Sequence, residues 1–197
     1  MQSLYDFIIK PIGKRYNNTK KIGDKELILN TEVFNHHYIN REAKVISIPN
    51  LVKTNIKPGD TVIVHHNVFR RWHDMKGVER NSRSYINENM YAVRQDQIFL
   101  FKRDNVWQAP SEYCFIKPIK SYDNFNVKKE QPLVGILKYS NKHLPPVGSL
   151  VGFTPMTPYE FVIGEERLYR MLTQFITIEY EYQGQEEEYN PSWVQSS

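Results

Sequence analysis

The chain carries one cysteine, Cys114, among 197 residues, which excludes an intrachain disulfide framework and fits a reducing compartment. It has no apolar run approaching the roughly 20 residues needed to span a bilayer. The opening Met1-Gln2-Ser3-Leu4-Tyr5-Asp6 lacks the basic start and apolar core of a signal peptide. A cytoplasmic location without a membrane partner is expected. No phosphate-binding glycine loop or nucleophile elbow occurs, and nothing in the chain calls for a cofactor. The charge excess is slight: 26 basic against 22 acidic residues leave a net charge of +4, too little to argue for nucleic acid as a partner.

What the chain does have is a partial internal repeat. Phe7-Ile8-Ile9-Lys10-Pro11-Ile12 returns as Cys114-Phe115-Ile116-Lys117-Pro118-Ile119, and strand-like segments follow each copy in the same order. After the first come 43–50, 56–64, 90–93 and 97–101; after the second come 134–141, 146–153, 168–171 and 175–178. The offset between copies shrinks from 107 positions at Lys10 and Lys117 to 89 at Gly59 and Gly148 and 78 at Tyr91 and Tyr169. Loops that change length between strands that keep their order are the mark of diverged repeats, because insertions are tolerated at loop tips and not inside paired strands. The alternative is a chance likeness of short β-rich runs. Aromatic and β-branched residues are plentiful and favour strands, so the chain reads as all-β. Two modules are expected, residues 1–108 and 109–182, followed by a tail over 183–197.

Residues 13–42 of the first module form a connection long enough to be functional or disordered. Their Lys, Asn, Gly and Asp flanks bury little, and the apolar run Leu27-Ile28-Leu29 sits between them. Two readings stand: an exposed apolar anchor on a flexible tether, or one more sheet strand over Lys25 to Thr31. Further on, Ile56-Lys57-Pro58-Gly59-Asp60 is a turn in which proline presets φ and glycine with aspartate completes the reversal before Thr61-Val62-Ile63-Val64 resumes a strand. Arg70-Arg71-Trp72-His73 with Arg80 and Arg83 alternates basic groups with an aromatic. That pattern reads as a phosphate-binding or anionic-partner patch, or as a solvated loop between strands.

Enzyme chemistry finds little support. His36-His37 and His65-His66 are the nearest approach to a metal cluster, but adjacent residues of a strand point to opposite faces and cannot easily share an ion. No metal site is expected. Glu165-Glu166 and Glu186-Glu187-Glu188 read as a solvated turn and tail. Cys114 lies in an expected strand, where a packed thiol is anticipated rather than a nucleophile. The tail, with Tyr189, Pro191 and Trp193 after its acidic run, reads either as an arm that orders against a neighbouring subunit or as a frayed terminus.

The ordered set of segments resembles the GroES-type co-chaperonins. Asp6-Phe7-Ile8-Ile9-Lys10 is similar to that family's opening strand, and Leu27-Ile28-Leu29 stands where its mobile loop carries an Ile-Val-Leu-type tripeptide. Arg41 to Ile48 resembles its Arg-Gly-Glu-Val strand, Ile56 to Val64 its Val-Lys-x-Gly-Asp-x-Val-x-Phe strand, and Asn89 to Leu100 its closing pair. The second module matches more weakly. Two departures stand out: Lys25 and Glu26 replace the family's two glycines, and residues 50–55 are too short for its roof hairpin. The Asn/Lys/Tyr/Ile-rich composition looks more similar to phage-encoded members.

The resemblance implies two tandem, partly open β-barrels, a homo-oligomeric ring and a cap on a GroEL-type chaperonin chamber that assists folding of viral client proteins. Leu27, Ile28 and Leu29 would dock into an apolar groove on the chaperonin. A ring of seven such chains would match a sevenfold chaperonin loop for loop. Because folds are reused, the same barrel pair could instead build a virus particle or another large assembly, which would place the chain in the virion.

Overall fold

The computed structural model describes residues 3–16, 19–28, 38–110, 112–121, 130–142, 145–155, 159–163, 166–181, 184 and 186–189. The chain divides into two compact units, Met1–Trp107 and Gln108–Ser197. It is all-β: no helix of seven or more residues occurs among the described residues, and none is long and apolar enough to cross a membrane.

Among the described residues, eleven strands run through the first part of the chain. They are β1 (Phe7–Pro11), β2 (Thr19–Ile22), β3 (Lys25–Ile28), β4 (Glu42–Ser47), β5 (Thr61–Val64), β6 (Arg71–His73), β7 (Glu79–Asn81), β8 (Tyr85–Asn87), β9 (Met90–Val93), β10 (Ile98–Arg103) and β11 (Val106–Gln108). Seven of them form one sheet in the order β11-β10-β5-β4-β1-β9-β8, while β2–β3 and β6–β7 are separate two-stranded hairpins. The second unit contains β12 (Tyr113–Lys120), β13 (Glu130–Ser140), β14 (Leu150–Phe153), β15 (Tyr159–Ile163), β16 (Glu166–Leu172) and β17 (Ile176–Tyr180). These strands form one sheet in the order β15-β16-β12-β13-β14-β17. All these sheets are antiparallel and open; none closes on itself.

The two large sheets share one topology. Matching β8, β9, β1, β4, β5 and β10 with β15, β16, β12, β13, β14 and β17 reproduces the strand order, with β11 as an extra edge. Register agrees residue by residue. Ile9 faces Tyr91 as Ile116 faces Tyr169, and a bulge interrupts β1–β4 between Ile8 and Ile9 just as one interrupts β12–β13 between Phe115 and Ile116. Bulges are kept features of a strand pair, so a bulge repeated at the same place excludes the chance-likeness reading.

The turn before β5 recurs in the same detail. The Gly59 amide donates to the Val45 carbonyl at 2.8 Å, and the Gly148 amide donates to the Leu137 carbonyl at 2.8 Å. Both glycines adopt left-handed backbone, φ +92° and +98°, a region open to glycine at little cost. These contacts also correct the sequence alignment of one strand. Val45 is equivalent to Leu137, so segments 43–50 and 134–141, read side by side, are one position out of step.

Packing follows the repeat. The second unit's core cluster is Cys114, Ile116, Leu137, Val151, Phe153 and Met171. Their equivalents Phe7, Ile9, Val45, Val62, Val64 and Val93 all lie in the core of the first unit. Burial of these alternating side chains is the main stabilising term, about 1.5–3 kcal/mol gross for each large one. The first unit then adds Tyr16, Ile39, Val68 and Phe69 to its core, and these come from its two long insertions.

Candidate functional site

The first insertion is anchored more tightly than its polar sequence implies. The Asn40 amide donates to the Arg15 carbonyl at 2.9 Å, closing the two ends of the connection on each other. The Asn40 side chain donates to the carbonyls of Ile12 and Lys14 and accepts from the Glu42 amide. Tyr16 and Ile39 pair across the gap and are buried at 7 % and 4 % exposure. The Arg15 guanidinium donates to the Phe69 carbonyl at 3.0 Å and to Asn81 Oδ1 at 2.8 Å, and lies over the Tyr85 ring. The expected loop over 13–42 therefore begins only after Tyr16. Its flanks bury an aromatic ring and a carboxamide, contrary to the expectation that they bury little.

Between these anchors stands the β2–β3 hairpin, turned at Gly23-Asp24, with Ile22 opposite Lys25 and Thr19 opposite Ile28. Lys25–Ile28 is thus a strand, but not a strand of the main sheet. Every residue of β3 is exposed, with Leu27 at 52 % and Ile28 at 61 %. Leu29 lies outside the described residues. Alternation along the strands puts Ile22, itself 59 % exposed, on the same hairpin face as Leu27, while Ile28 occupies the other face. Sequence reasoning missed Ile22, because Lys20 and Lys21 hide a strand that has no other apolar member. Lys14 pairs with Glu26 at 3.1 Å. Hydrogen bonds from Thr19 and then Lys14 hold the Glu26 carboxyl below the usual carboxylate range.

The second insertion divides the expected arginine patch into two kinds of site. Arg71 pairs with Glu79 at 3.0 Å and lies over the Tyr16 ring, and Arg80 pairs with Asp74 at 2.9 Å. Those two arginines serve the β6–β7 hairpin. Arg70 and Arg83 instead line a cavity of about 450 Å³ together with Trp72, Asn67, Ser82 and Gln97. The segment is an ordered hairpin and strand rather than a plain solvated loop.

His65 and His66 do not alternate across a strand as expected. They open a short 3-10 turn, with ring centroids 4.2 Å apart, and His65 Nδ1 accepts the Asn67 amide at 3.1 Å. His36 and His37 lie outside the described residues. Among the described residues no group of three or more His, Cys, Asp or Glu side chains could hold a metal ion. Cys114 is fully buried, and burial pushes its thiol up to about 12. A thiol held protonated in this way is packing, not a nucleophile.

The second unit holds charge that sequence reading treated as solvated. Lys117, 1 % exposed, lies 3.4 Å from Glu188 and 3.9 Å from Glu166. Arg167, 2 % exposed, pairs with Glu130 at 2.7 Å and Glu160 at 3.1 Å. Glu187 pairs with Lys120. Part of the tail docks on its own unit: the Lys120 amide donates to the Glu187 carbonyl and the Tyr189 amide to the Pro118 carbonyl, each at 2.8 Å. Residues 186–189 therefore pair with β12 and are not a frayed end, while Pro191 and Trp193 lie outside the described residues. No protein-family model matches the chain, and no curated protein matches it.

Proposed function

We propose that the chain is a co-chaperonin, a divergent tandem form of the GroES-like barrel that caps a chaperonin folding chamber and carries out no chemistry of its own. The observation that carries this reading is the β2–β3 hairpin, which holds Leu27 and Ile28 in solvent outside its own sheet. Exposed aliphatic side chains on a hairpin outside the main sheet add nothing to the stability of their own unit, and such a patch is the usual form of a docking site. Burying Leu27 and Ile28 on a partner is worth on the order of 3–5 kcal/mol gross. Each residue that must be ordered costs roughly 1–2 kcal/mol. A hairpin with anchored ends lowers that cost relative to a free tether.

One such contact binds weakly, so useful affinity requires several hairpins presented together on a homo-oligomeric ring. A sevenfold ring of chains would present one hairpin to each subunit of a sevenfold chaperonin. The second unit offers no counterpart to Leu27-Ile28-Leu29 in its sequence, so each chain contributes one docking element.

Native mass spectrometry of the full chain mixed with a chaperonin ring and ATP tests the reading. The expected result is a ring of chains that joins the chaperonin only with nucleotide. A chain that ignores the chaperonin and co-purifies with virus particles overturns it in favour of a particle component.

A further inference from the structure

We infer that the open edge of β17 joins this chain to a second copy of itself, strand to antiparallel strand about a twofold axis through Ile178. The repeat points to this edge. In the first unit β11 covers the outer edge of β10, because Asp104 and Asn105, both with positive φ, turn the chain straight back. β17 is the equivalent of β10, yet among the described residues it ends its sheet. The chain that follows it pairs instead with β12, through Glu187 with Lys120 and Tyr189 with Pro118. Burial differs too: Ile98 to Phe101 are buried, whereas Thr177 to Tyr180 are all exposed.

An open edge invites pairing unless it is short or carries proline or lysine. β8 and β11 have three residues each, and β15 follows Pro155 and Pro158. β17 has neither protection: it is five residues long, with no proline, lysine or arginine from Thr173 to Tyr182. Its ladder shows which backbone groups it offers. Leu137 exchanges backbone bonds with Gly148 and Ser149, and Gly135 faces Val151, so alternation turns Val151 toward β13 and turns Leu150 and Gly152 toward β17. Glu179 faces Val151 and therefore directs its own amide and carbonyl to the open side.

The strand's own sequence fits a second copy. Antiparallel pairing about Ile178 places Ile178 against Ile178 and sets Thr177 opposite Glu179 on either side of the axis, so no glutamate meets a glutamate. Ile178 and Tyr180 lie side by side over Gly152, where an added Cβ would sit 3.4 Å from Ile178 Cβ and 3.0 Å from the Tyr180 ring. They are 48 % and 40 % exposed, and the second copy extends that apolar strip across the junction. The chain's first described residues are engaged elsewhere, since the Ser3 and Leu4 carbonyls accept the amides of Asn50 and Leu51. None of the contact residues belongs to β2 or β3, so the contact stands apart from the hairpin reading. Where chains also form a ring, a twofold contact joins them in even number.

Sedimentation velocity of the full chain alone, from micromolar to about 0.2 mM, together with native mass spectrometry, tests the contact. The parent should form assemblies with an even number of chains, in a concentration-dependent equilibrium because one strand pair is a small interface. Glu179→Pro removes the outward amide and no amide of the β14 ladder, and should halve the assembly mass. Glu179→Gln, which keeps the amide, should assemble as the parent does. Ile178→Lys sets two cations together on the axis and should also halve the mass. Thr177→Lys faces Glu179 of the second copy and should tighten association about threefold or more. These positions are exposed, so melting temperatures close to the parent's will show that the variants fold. The inference is overturned if the parent is a monomer at every concentration, which leaves the edge to a strand of another protein, or if its assemblies hold an odd number of chains. Parent-like assembly by both Glu179→Pro and Ile178→Lys overturns it as well. Weaker association of Thr177→Lys overturns the pairing about Ile178.

Discussion

Lys10 and Lys117 occupy the same position of the repeat, one residue after the isoleucines that face Tyr91 and Tyr169. Lys10 is exposed on β1, whereas Lys117 is 1 % exposed and surrounded by carboxylates. The difference lies in what each unit adds around a shared scaffold. In the second unit the tail pairs alongside β12, through Ile119 and Glu188, and brings an acid to the lysine.

This arrangement predicts an asymmetry in stability. Glu166 and Glu188 also pair with Lys138 and remain partly solvated, so Lys117→Met removes a buried charge without stranding its partners. Its cost in urea unfolding should be within about 1 kcal/mol. The double variant Glu166→Gln with Glu188→Gln takes two carboxylates away from a buried lysine, and should cost about 3 kcal/mol or more. Equal costs for the two would contradict the account.

Gly135 predicts a local steric limit. A Cβ at this position would lie 2.5 Å from both Ile116 Cγ2 and the Lys117 carbonyl oxygen, because β13 crosses β12 closely where Gly135 faces Pro118. Gly135→Ala should lower stability by about 2 kcal/mol or more through overpacking. The equivalent residue of the first unit, facing Pro11, is Ala43, and Ala43→Gly should cost only about 1 kcal/mol. Calorimetric melting of the two variants checks the contrast.

Alkaline pH should destabilise the fold in two steps. Burial holds the Cys114 thiol and the Tyr91 hydroxyl each up to about 12, above the roughly 8.5 and 10 of unfolded chains. For both groups the folded value is the higher, so their contribution is complete below the unfolded value and is lost as pH rises toward the folded one. Unfolding free energy should fall by about 1–2 kcal/mol from pH 8 to pH 10, and Cys114→Ala should flatten that slope. Above pH 10 the steeper loss should be reduced in Tyr91→Phe. Denaturant titrations across pH measure both, and a slope unaffected by either substitution would contradict the burial argument.

Much of the sheet architecture was legible because the strands kept their apolar alternation and their order in both copies. The turn at Gly59 and Gly148 was legible for the same reason, since its geometry admits few residues. Other features depended on partners distant in sequence. Tyr16 and Ile39 become core only when Asn40 ties the insertion's ends together, and nothing local to Tyr16 signals that. Lys117 is balanced by residues about 50 and 70 positions away, too far for pattern reading. The pairing of Arg71 with Glu79 and of Arg80 with Asp74 depends on the β6–β7 register, and a run of charges does not reveal that register.

The proposed co-chaperonin function rests on the β2–β3 hairpin. Leu27→Asp, Ile28→Asp and Ile22→Asp each place a charge on an exposed side chain, so their melting temperatures should stay close to that of the parent chain. In the proposed homo-oligomeric ring the defect would be presented many times over, so chaperonin affinity should fall by orders of magnitude in Leu27→Asp and Ile28→Asp, and Ile22→Asp should weaken it through the face it shares with Leu27. The decisive measurement is the affinity of these variants for a nucleotide-bound chaperonin ring alongside their thermal stability. Lost binding with unchanged melting is the predicted result, and unchanged affinity in both Leu27→Asp and Ile28→Asp would contradict the account.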